Sequence, residues 1–397
     1  ERFKKILIKQ NLKQAESGIA KNKKESFKIA NKIGFPIVIR PSYVLGGRGM
    51  EIIYSQSDLK KYIDEAVKVS GANPVLIDRF INDATEVDVD AICDGKKVFV
   101  AGIMEHIEEA GIHSGDSACS LPPYTLSTEI IKKIELQTEQ LAKALKVVGL
   151  INIQFAIKGN EIYVLEVNPR ASRTVPFVSK VTNVPLAKIA SQLAVGHKLK
   201  DYKFPDQNNG LIAVKKPVFP FNKFPNQSIF LSPEMKSTGE VIGLDIHLGS
   251  AYAKAELGAG NELPMEGNIF ISVNNIDKMK VIPIARDFYE LGYNLIATEG
   301  TYKLLNQNGI SCDIISKVGE GRPNVVDYIK NGDVQFIINT PLGQKSRYDE
   351  YEIGRSAIRY NISATTTISG AQAALRAIRR IKNNQMDYRS LQDIFKG

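Results

Sequence analysis

The sequence predicts a chain of mixed α/β and α+β class, built from two unlike parts, and three observations carry that prediction. Residues 268–397 alternate short apolar runs with helical segments, the pattern of a doubly wound parallel sheet. Residues 1–257 instead hold paired strands, most clearly around the turn Lys158-Gly159-Asn160. Between them, residues 258–267 (GAGNELPMEG) form a small, flexible linker that reads as the domain boundary.

In the first part, residues 26–33 have helical spacing and stop at Gly34, a C-cap signal. Residues 35–41 read as a strand with Arg40 near its end, followed by Leu45-Gly46-Gly47-Arg48-Gly49. Glycines let backbone amides approach phosphate oxygens, although such a run alone is equally an ordinary turn, and no Walker lysine follows. Residues 57–69 predict a helix capped by Ser57 or Asp58, with Leu59, Ile63, Ala66 and Val67 facing inward. Residues 75–81 form a buried strand. Glu86-Val87-Asp88-Val89-Asp90-Ala91 alternates strictly, so its carboxylates share one strand face. Residues 98–104 are its partner, and a polar loop follows over 104–109 and 113–117. Ile130, Ile134, Leu141, Leu145 and Val148 mark a long amphipathic helix closed by Gly149. Another helix is expected at 186–193, then Pro-punctuated chain with short strands at 211–214 and 241–244.

The hairpin spanning 151–168 carries the chemistry. Gln154, Glu166, Asn168 and Arg170 interrupt its apolar pattern. Gln154 and Glu166 stand about equally far from the turn on opposite strands, so pairing brings them side by side, with Asn168 on the same face. One carboxylate and two amide oxygens suit Mg²⁺, which takes few protein ligands and leaves room for substrate phosphates. Arg170 and Arg173 add positive charge nearby. The alternative is a sheet with one solvated polar face.

In the second part, strands are expected at 269–273, 294–298, 313–315, 336–340 and 363–367, with helices at 278–291, 302–308, 324–330, 349–360 and 372–381. Thr298, Thr301, Lys317 and Asn339 fall at the carboxyl ends of the strands, where such sheets bind ligands. Hydroxyls, an ammonium and helix N-terminal amides there make a phosphate pocket, or else a plain sheet rim. No set of catalytic acids and bases accompanies them, so this part reads as a sensor.

The net charge is +9, but the lysines are spread along the chain without interleaved aromatics, so nucleic acid is not an expected partner. No apolar run of about 18 residues calls for a membrane, and no secretory leader is visible. Three scattered cysteines fit neither a disulfide framework nor a zinc site. A reducing cytoplasm is the expected setting.

The wording Q-F…E-V-N-P-R-x-S-R resembles the metal-binding end of an ATP-grasp domain. Together with V-D-V-D-A-I-C-D-G, M-E-H-I-E, H-S-G-D-S and N-P-R-A-S-R-T-V-P-F-V-S-K, it is similar to the C-terminal half of the large chain of carbamoyl-phosphate synthetase, over nearly the whole chain. The resemblance implies an ATP-grasp module over 1–257 and a methylglyoxal-synthase-like regulatory domain over 268–397. It implies phosphorylation of carbamate by ATP, for pyrimidine and arginine biosynthesis, with Mg²⁺ or Mn²⁺, and K⁺ as a further cation.

Residue by residue, the resemblance puts Arg40 on the triphosphate under a flap at Gly46 and Gly47. Asp78 and Ile81 bind nucleotide where a strand runs into the adenine hinge, and Glu86 takes the ribose hydroxyls. His113 and Ser114 sit beside the transferring phosphoryl group, Gln154 and Glu166 touch nucleotide and metal, and Asn168 completes the metal set. His113, Arg170 and Arg173 balance charge in catalysis. Lys278, Thr298, Thr301, Lys317 and Asn339 hold the phosphate of UMP or IMP, and Pro341 replaces a threonine of some relatives.

The implied partners are a glutaminase small subunit and the N-terminal half of the large chain, neither of which lies in this sequence. The family has an N-terminal layer and an Asp-Arg pair before this point, so the chain is expected to be part of a longer polypeptide. Glu108 and Asp116 match acidic positions that hold ornithine in some relatives. Lys216 and Ala364 replace a third acid and a tyrosine, so ornithine is not an expected activator. Two rivals are another ATP-grasp carboxylate–amine ligase and a non-catalytic nucleotide-binding module. The V-S-K wording and the sensor favour carbamate, and the intact Gln154, Glu166, Asn168 set speaks against a decayed site.

Overall fold

The structure, a computed structural model, describes residues 2–41, 46–70, 74–108, 110–206, 210–220, 231–340 and 347–395, without the side chains of 64–70 and 347–350. Leu45, Pro341 and the side chains of Ala66 and Val67 therefore lie outside the described residues. The chain forms two compact units: Glu1–Gly210 with Leu231–Met235 and Arg389–Gly397, and Leu211–Phe230 with Lys236–Tyr388.

The first unit opens with α1 (Arg2–Lys9), β1 (Ser17–Ala20), α2 (Lys23–Ile33), β2 (Ile37–Pro41), β3 (Glu51–Ile53), α3 (Gln56–Ser70) and β4 (Val75–Arg79). Its strands make an antiparallel sheet in the order β1-β4-β2-β3. Ile37, Ile39, Ile53, Leu59 and Ile77 form its core. The first expected helix starts earlier than predicted, because Asn22 Oδ1 accepts from Glu25 N at 2.9 Å, and it ends at Gly34 as expected. The helix after Ile53 is capped by neither Ser57 nor Asp58. Ser55 Oγ accepts from Asp58 N at 3.2 Å, so α3 begins one residue sooner, at Gln56.

Next come β5 (Thr85–Asp94), β6 (Val98–His106), β7 (Cys119–Leu121), α4 (Thr128–Ala144), β8 (Val148–Lys158), β9 (Glu161–Asn168), α5 (Val175–Thr182) and α6 (Leu186–Ala194). The strands run β7-β6-β5-β8-β9, all antiparallel. Val87, Val89, Ile151, Ile153 and Phe155 pack their face of the sheet against Ile130, Ile134 and Leu141 of α4. Strand alternation turns Glu86, Asp88, Asp90, Asn152 and Gln154 to the other face. The expected polar loop starts late, because β6 continues through His106. The expected long helix stops at Ala144, since Lys146 takes a left-handed φ of 54°, and Val148 and Gly149 belong to β8. Helix α5, with a proline in its first turn, was not foreseen.

The second unit holds the antiparallel pair β10 (Ile212–Val218) and β11 (Gly239–Asp245), then α7 (Leu248–Gly258), β12 (Asn268–Val273), α8 (Lys278–Glu290), β13 (Asn294–Thr298), α9 (Glu299–Gln307), β14 (Asp313–Ile315), α10 (Val325–Asn331), β15 (Phe336–Thr340), α11 (Arg347–Arg359), β16 (Ser363–Thr365) and α12 (Ile368–Lys382). A parallel sheet of order β14-β13-β12-β15-β16 is the doubly wound arrangement read from the sequence. Helix α7, also unforeseen, packs closely on α12: a Cβ on Gly249 would lie 2.6 Å from the Arg376 carbonyl oxygen. Lys216 Nζ is 2.8 Å from Glu256 of α7, so its charge is matched within this unit. Among the described residues, no helix is long and apolar enough to cross a membrane.

Candidate active site

The β8–β9 hairpin turns at Gly159, whose φ is +60°. Pairing runs regularly from Lys158↔Glu161 to Phe155↔Val164, then shifts by one, so that Gln154 faces Glu166 and Asn152 faces Asn168. Leu165 is the extra residue of a β-bulge. A regular count would have set Leu165, not Glu166, opposite Gln154. The bulge lets Leu165 and Glu166, consecutive in sequence, line the same cavity. Asn168 Nδ2 donates to Glu166 Oε1 at 2.7 Å, and Gln154 Nε2 donates to Ser114 Oγ at 2.9 Å. Both amides thus spend their NH₂ groups on the protein and keep carbonyl oxygens for a cation. With the Glu166 carboxylate, this donor set fits a hard divalent ion that completes its shell with phosphate oxygens. Among the described residues, no group of three His, Cys, Asp or Glu side chains makes an all-protein metal cage.

These residues line a cavity of about 790 Å³ within the first unit. Arg40, Gly46, Gly47, Asp78, Ile81 and Glu86 line it as well, as do His113, Ser114, Arg170 and Arg173. Arg40 Nε lies 2.8 Å from Asp78 Oδ2, an ion pair behind the glycine loop, although neither Asp78 oxygen is aligned for a hydrogen bond. Burial pushes the Asp78 carboxyl up, and Arg40 opposes that shift. Glu86 accepts from Gly111 N at 2.9 Å; burial raises its pKa against the pull of His106. His113 Nδ1 accepts from Gly115 N at 3.0 Å, which leaves the proton on Nε2. Burial lowers the His113 pKa, with Arg173 adding to that effect, so the imidazole is a neutral donor. Arg170 and Arg173 are exposed.

The sequence reading missed the layer beneath. His106 Nε2 lies 2.8 Å from Asp88 Oδ2, and its Nδ1 lies 3.7 Å from Glu86 Oε2. Burial alone would lower the His106 pKa, but Cys119 and Asp88 beside it hold the pKa well above the ordinary imidazole value. The alternation of Glu86, Asp88 and Asp90 marked the face; His106 and Asn152, supplied by the flanking strands, needed the strand order. Also missed were Gly111, Ile112 and Met235, which line the cavity. Residues Ser232 to Met235 strap two loops together: His113 N donates to Ser232 O at 2.8 Å, and Met235 N to Gly46 O at 3.0 Å.

In the second unit, Thr298 precedes α9 and its hydroxyl makes no cap bond, but lies 3.2 Å from Ser272 Oγ. Thr301 Oγ1, almost fully buried, accepts from Val273 N at 3.3 Å. Lys278 Nζ approaches Gly300, and a Cβ there would be 3.4 Å from it. Lys317 is exposed at the end of β14, 3.5 Å from Glu320, and Asn339 is half-buried near the end of β15.

A family model described as carbamoyl-phosphate synthase L chain, ATP binding domain, matches residues 1–202, and the MGS-like domain model matches 280–366. The chain is 54% identical, over 99% of its length, to a carbamoyl phosphate synthase large chain of Archaeoglobus fulgidus, and spans 37% of that protein. It is 49% identical over its full length to the C-terminal section of that large chain in Aquifex aeolicus, covering 78% of it. The Campylobacter jejuni biotin carboxylase structure superposes with a TM-score of 0.51 at 16% identity over 64% of each chain, a likeness of fold alone. The chain belongs to the carbamoyl-phosphate synthase large-chain family, as its C-terminal section: an ATP-grasp, ATP-binding domain followed by an MGS-like domain.

Proposed function

We propose that this chain phosphorylates carbamate with ATP, giving carbamoyl phosphate and ADP, and that residues 1–257 do so while residues 268–397 sense a regulatory nucleotide across the linker at 258–267. The observation that carries the reading is Gln154 facing Glu166, with Asn168 bonded to Glu166, lining a cavity that Arg40, Arg170 and Arg173 also line. Phe80, Ile81 and Leu165, apolar residues of the cavity lining, receive the base, and Glu86 receives the ribose. Gln154, Glu166 and Asn168 would hold Mg²⁺ or Mn²⁺, which neutralises phosphate charge. Arg40, Arg170 and Arg173 offset the charge that spreads over the equatorial oxygens, and the Nε2 proton of His113 is donated to a phosphoryl oxygen. Catalysis here is positioning and electrostatics rather than proton abstraction. K⁺ is a further expected cation.

On this reading the N-terminal section of the large chain and a glutaminase subunit are partners that supply carbamate and ammonia, in the cytoplasm, for pyrimidine and arginine synthesis. Lys278, Thr298, Thr301, Lys317 and Asn339 are the proposed contacts of UMP or IMP. The test is ATP formation from ADP and carbamoyl phosphate by the chain combined with the N-terminal section. Mg²⁺-dependent ATP synthesis is expected. Its absence, with nucleotide still bound, would overturn the reading.

A further inference from the structure

We infer that Asp90 is a positioning residue for this phosphoryl transfer: its carboxylate anchors the Ser172–Thr174 turn and so sets where Arg170 and Arg173 stand over the cavity. The inference rests on the function proposed above. Asp90 is fully buried on β5. One of its oxygens accepts from Ser172 Oγ at 2.7 Å and from Asn152 Nδ2 at 3.0 Å; the other accepts from Thr174 Oγ1 at 2.5 Å. Ser172 and Thr174 flank Arg173, and Arg170 lies two residues before Ser172. Ser172 Oγ also accepts from Val175 N at 3.2 Å, tying the same turn to the start of α5.

The exposed arginines have few constraints of their own. Arg170 Nη1 donates to the neighbouring Ala171 carbonyl at 2.9 Å. Their placement therefore follows the backbone, and Asp90 is the buried carboxylate that holds the side chains on both sides of Arg173. A buried carboxylate is a costly choice for stability alone. Burial drives the Asp90 pKa up to about 6, even against donation from Thr174, Ser172 and Asn152. Asn152 extends the anchor: its Nδ2 lies 3.4 Å from Asp88, which holds His106. A buried polar chain thus links the turn carrying the arginines to the nucleotide side at Glu86.

Two readouts test the anchor. In the 397-residue chain, Asp90→Ala is expected to raise amide exchange at Arg170 and Val175, whose N–H groups donate to Asn168 O and Ser172 Oγ, by about tenfold or more, with the other β8–β9 amides unchanged. Asp90→Asn, which accepts at Oδ1 and donates at Nδ2, keeps the protection. With the N-terminal section added, Asp90→Ala lowers kcat for ATP formation by roughly 10- to 100-fold and raises KM for carbamoyl phosphate, while KM for ADP stays within about twofold. Ser172→Ala with Thr174→Val reproduces the loss in a chain whose buried carboxylate is intact, and adds little to Asp90→Ala. Unchanged exchange at Arg170 and Val175, or equal losses toward ADP and carbamoyl phosphate, would overturn the inference. A wild-type enzyme without turnover would instead overturn the proposed function, and exchange would still read the anchor.

Discussion

Glu166 stands opposite Gln154 because Leu165 is bulged out of the β8–β9 ladder. The bulge breaks the strand alternation at one point, and that break puts an apolar side chain and a carboxylate next to each other on the cavity wall. A nucleotide needs both within one step: apolar surface for the base, and a metal-holding carboxylate for the phosphates.

Glu166→Gln keeps the size of the side chain and removes its charge. The hydrogen bond with Asn168 can survive through the new amide oxygen. Metal-dependent ATP formation should fall on the order of 100-fold or more, as for loss of a preorganised electrostatic partner. Thermal stability should change little. Near-normal turnover in this variant would show that the metal is held elsewhere.

Asp90 makes stability depend on pH. Its folded pKa of about 6 lies above the ordinary aspartate value of 3.8. The folded state therefore binds its proton more tightly than the unfolded chain does. That contribution is complete below about pH 4 and is lost as pH rises through about 6, a change on the order of 2–3 kcal/mol. Asp90→Asn removes the titration. The stability of the variant relative to wild type should rise between pH 4 and 7, whatever its offset at pH 4. Parallel denaturation curves across that range would contradict the burial argument.

The parallel sheet of the second unit was legible because its central strands β12, β13 and β15 are short, mostly buried apolar runs between helical segments. The polar face of the hairpin was legible for a related reason: polar residues at strand spacing stand out in an apolar run. The bulge was not, since nothing in Val164-Leu165-Glu166 marks an extra residue, and Gln154 meets Glu166 only with its help. The strap at Ser232–Met235 and the His106–Asp88–Asn152–Asp90 chain join residues far apart in sequence, so only strand order and loop placement reveal them. The end of α4 was misjudged because Lys146 takes the left-handed turn usually given to glycine.

Residues 211–388 alone should fold and bind UMP or IMP, since α7 and the β10–β11 pair belong to this unit. Lys317→Ala should weaken binding about tenfold or more, the worth of a charge-assisted hydrogen bond to phosphate. A fragment beginning at 268 loses α7 and uncovers the face of α12 it packs on. It should melt on the order of 10 °C lower. Calorimetry and thermal melts check both statements. Unchanged affinity in Lys317→Ala would remove Lys317 from the phosphate site.

Gly46 and Gly47 both have positive φ, +63° and +68°, so alanine at either carries similar backbone strain, roughly 1–2 kcal/mol. Their surroundings differ. A Cβ on Gly46 meets only Met235 Cβ, at 4.0 Å, whereas a Cβ on Gly47 would lie 1.8 Å from the Pro233 carbonyl oxygen. That carbonyl cannot retreat easily, because its neighbours Ser232 and Met235 are hydrogen-bonded to His113 and Gly46. The second glycine is therefore required by the strap as well as by any phosphate. Gly47→Ala should part the glycine loop from the strap and lower ATP affinity by about tenfold more than Gly46→Ala does, since loops that place phosphate contacts tolerate little displacement. Titration of both variants with ATP decides the matter. Equal losses would mean that strain alone explains the two glycines and that the strap does not position the loop.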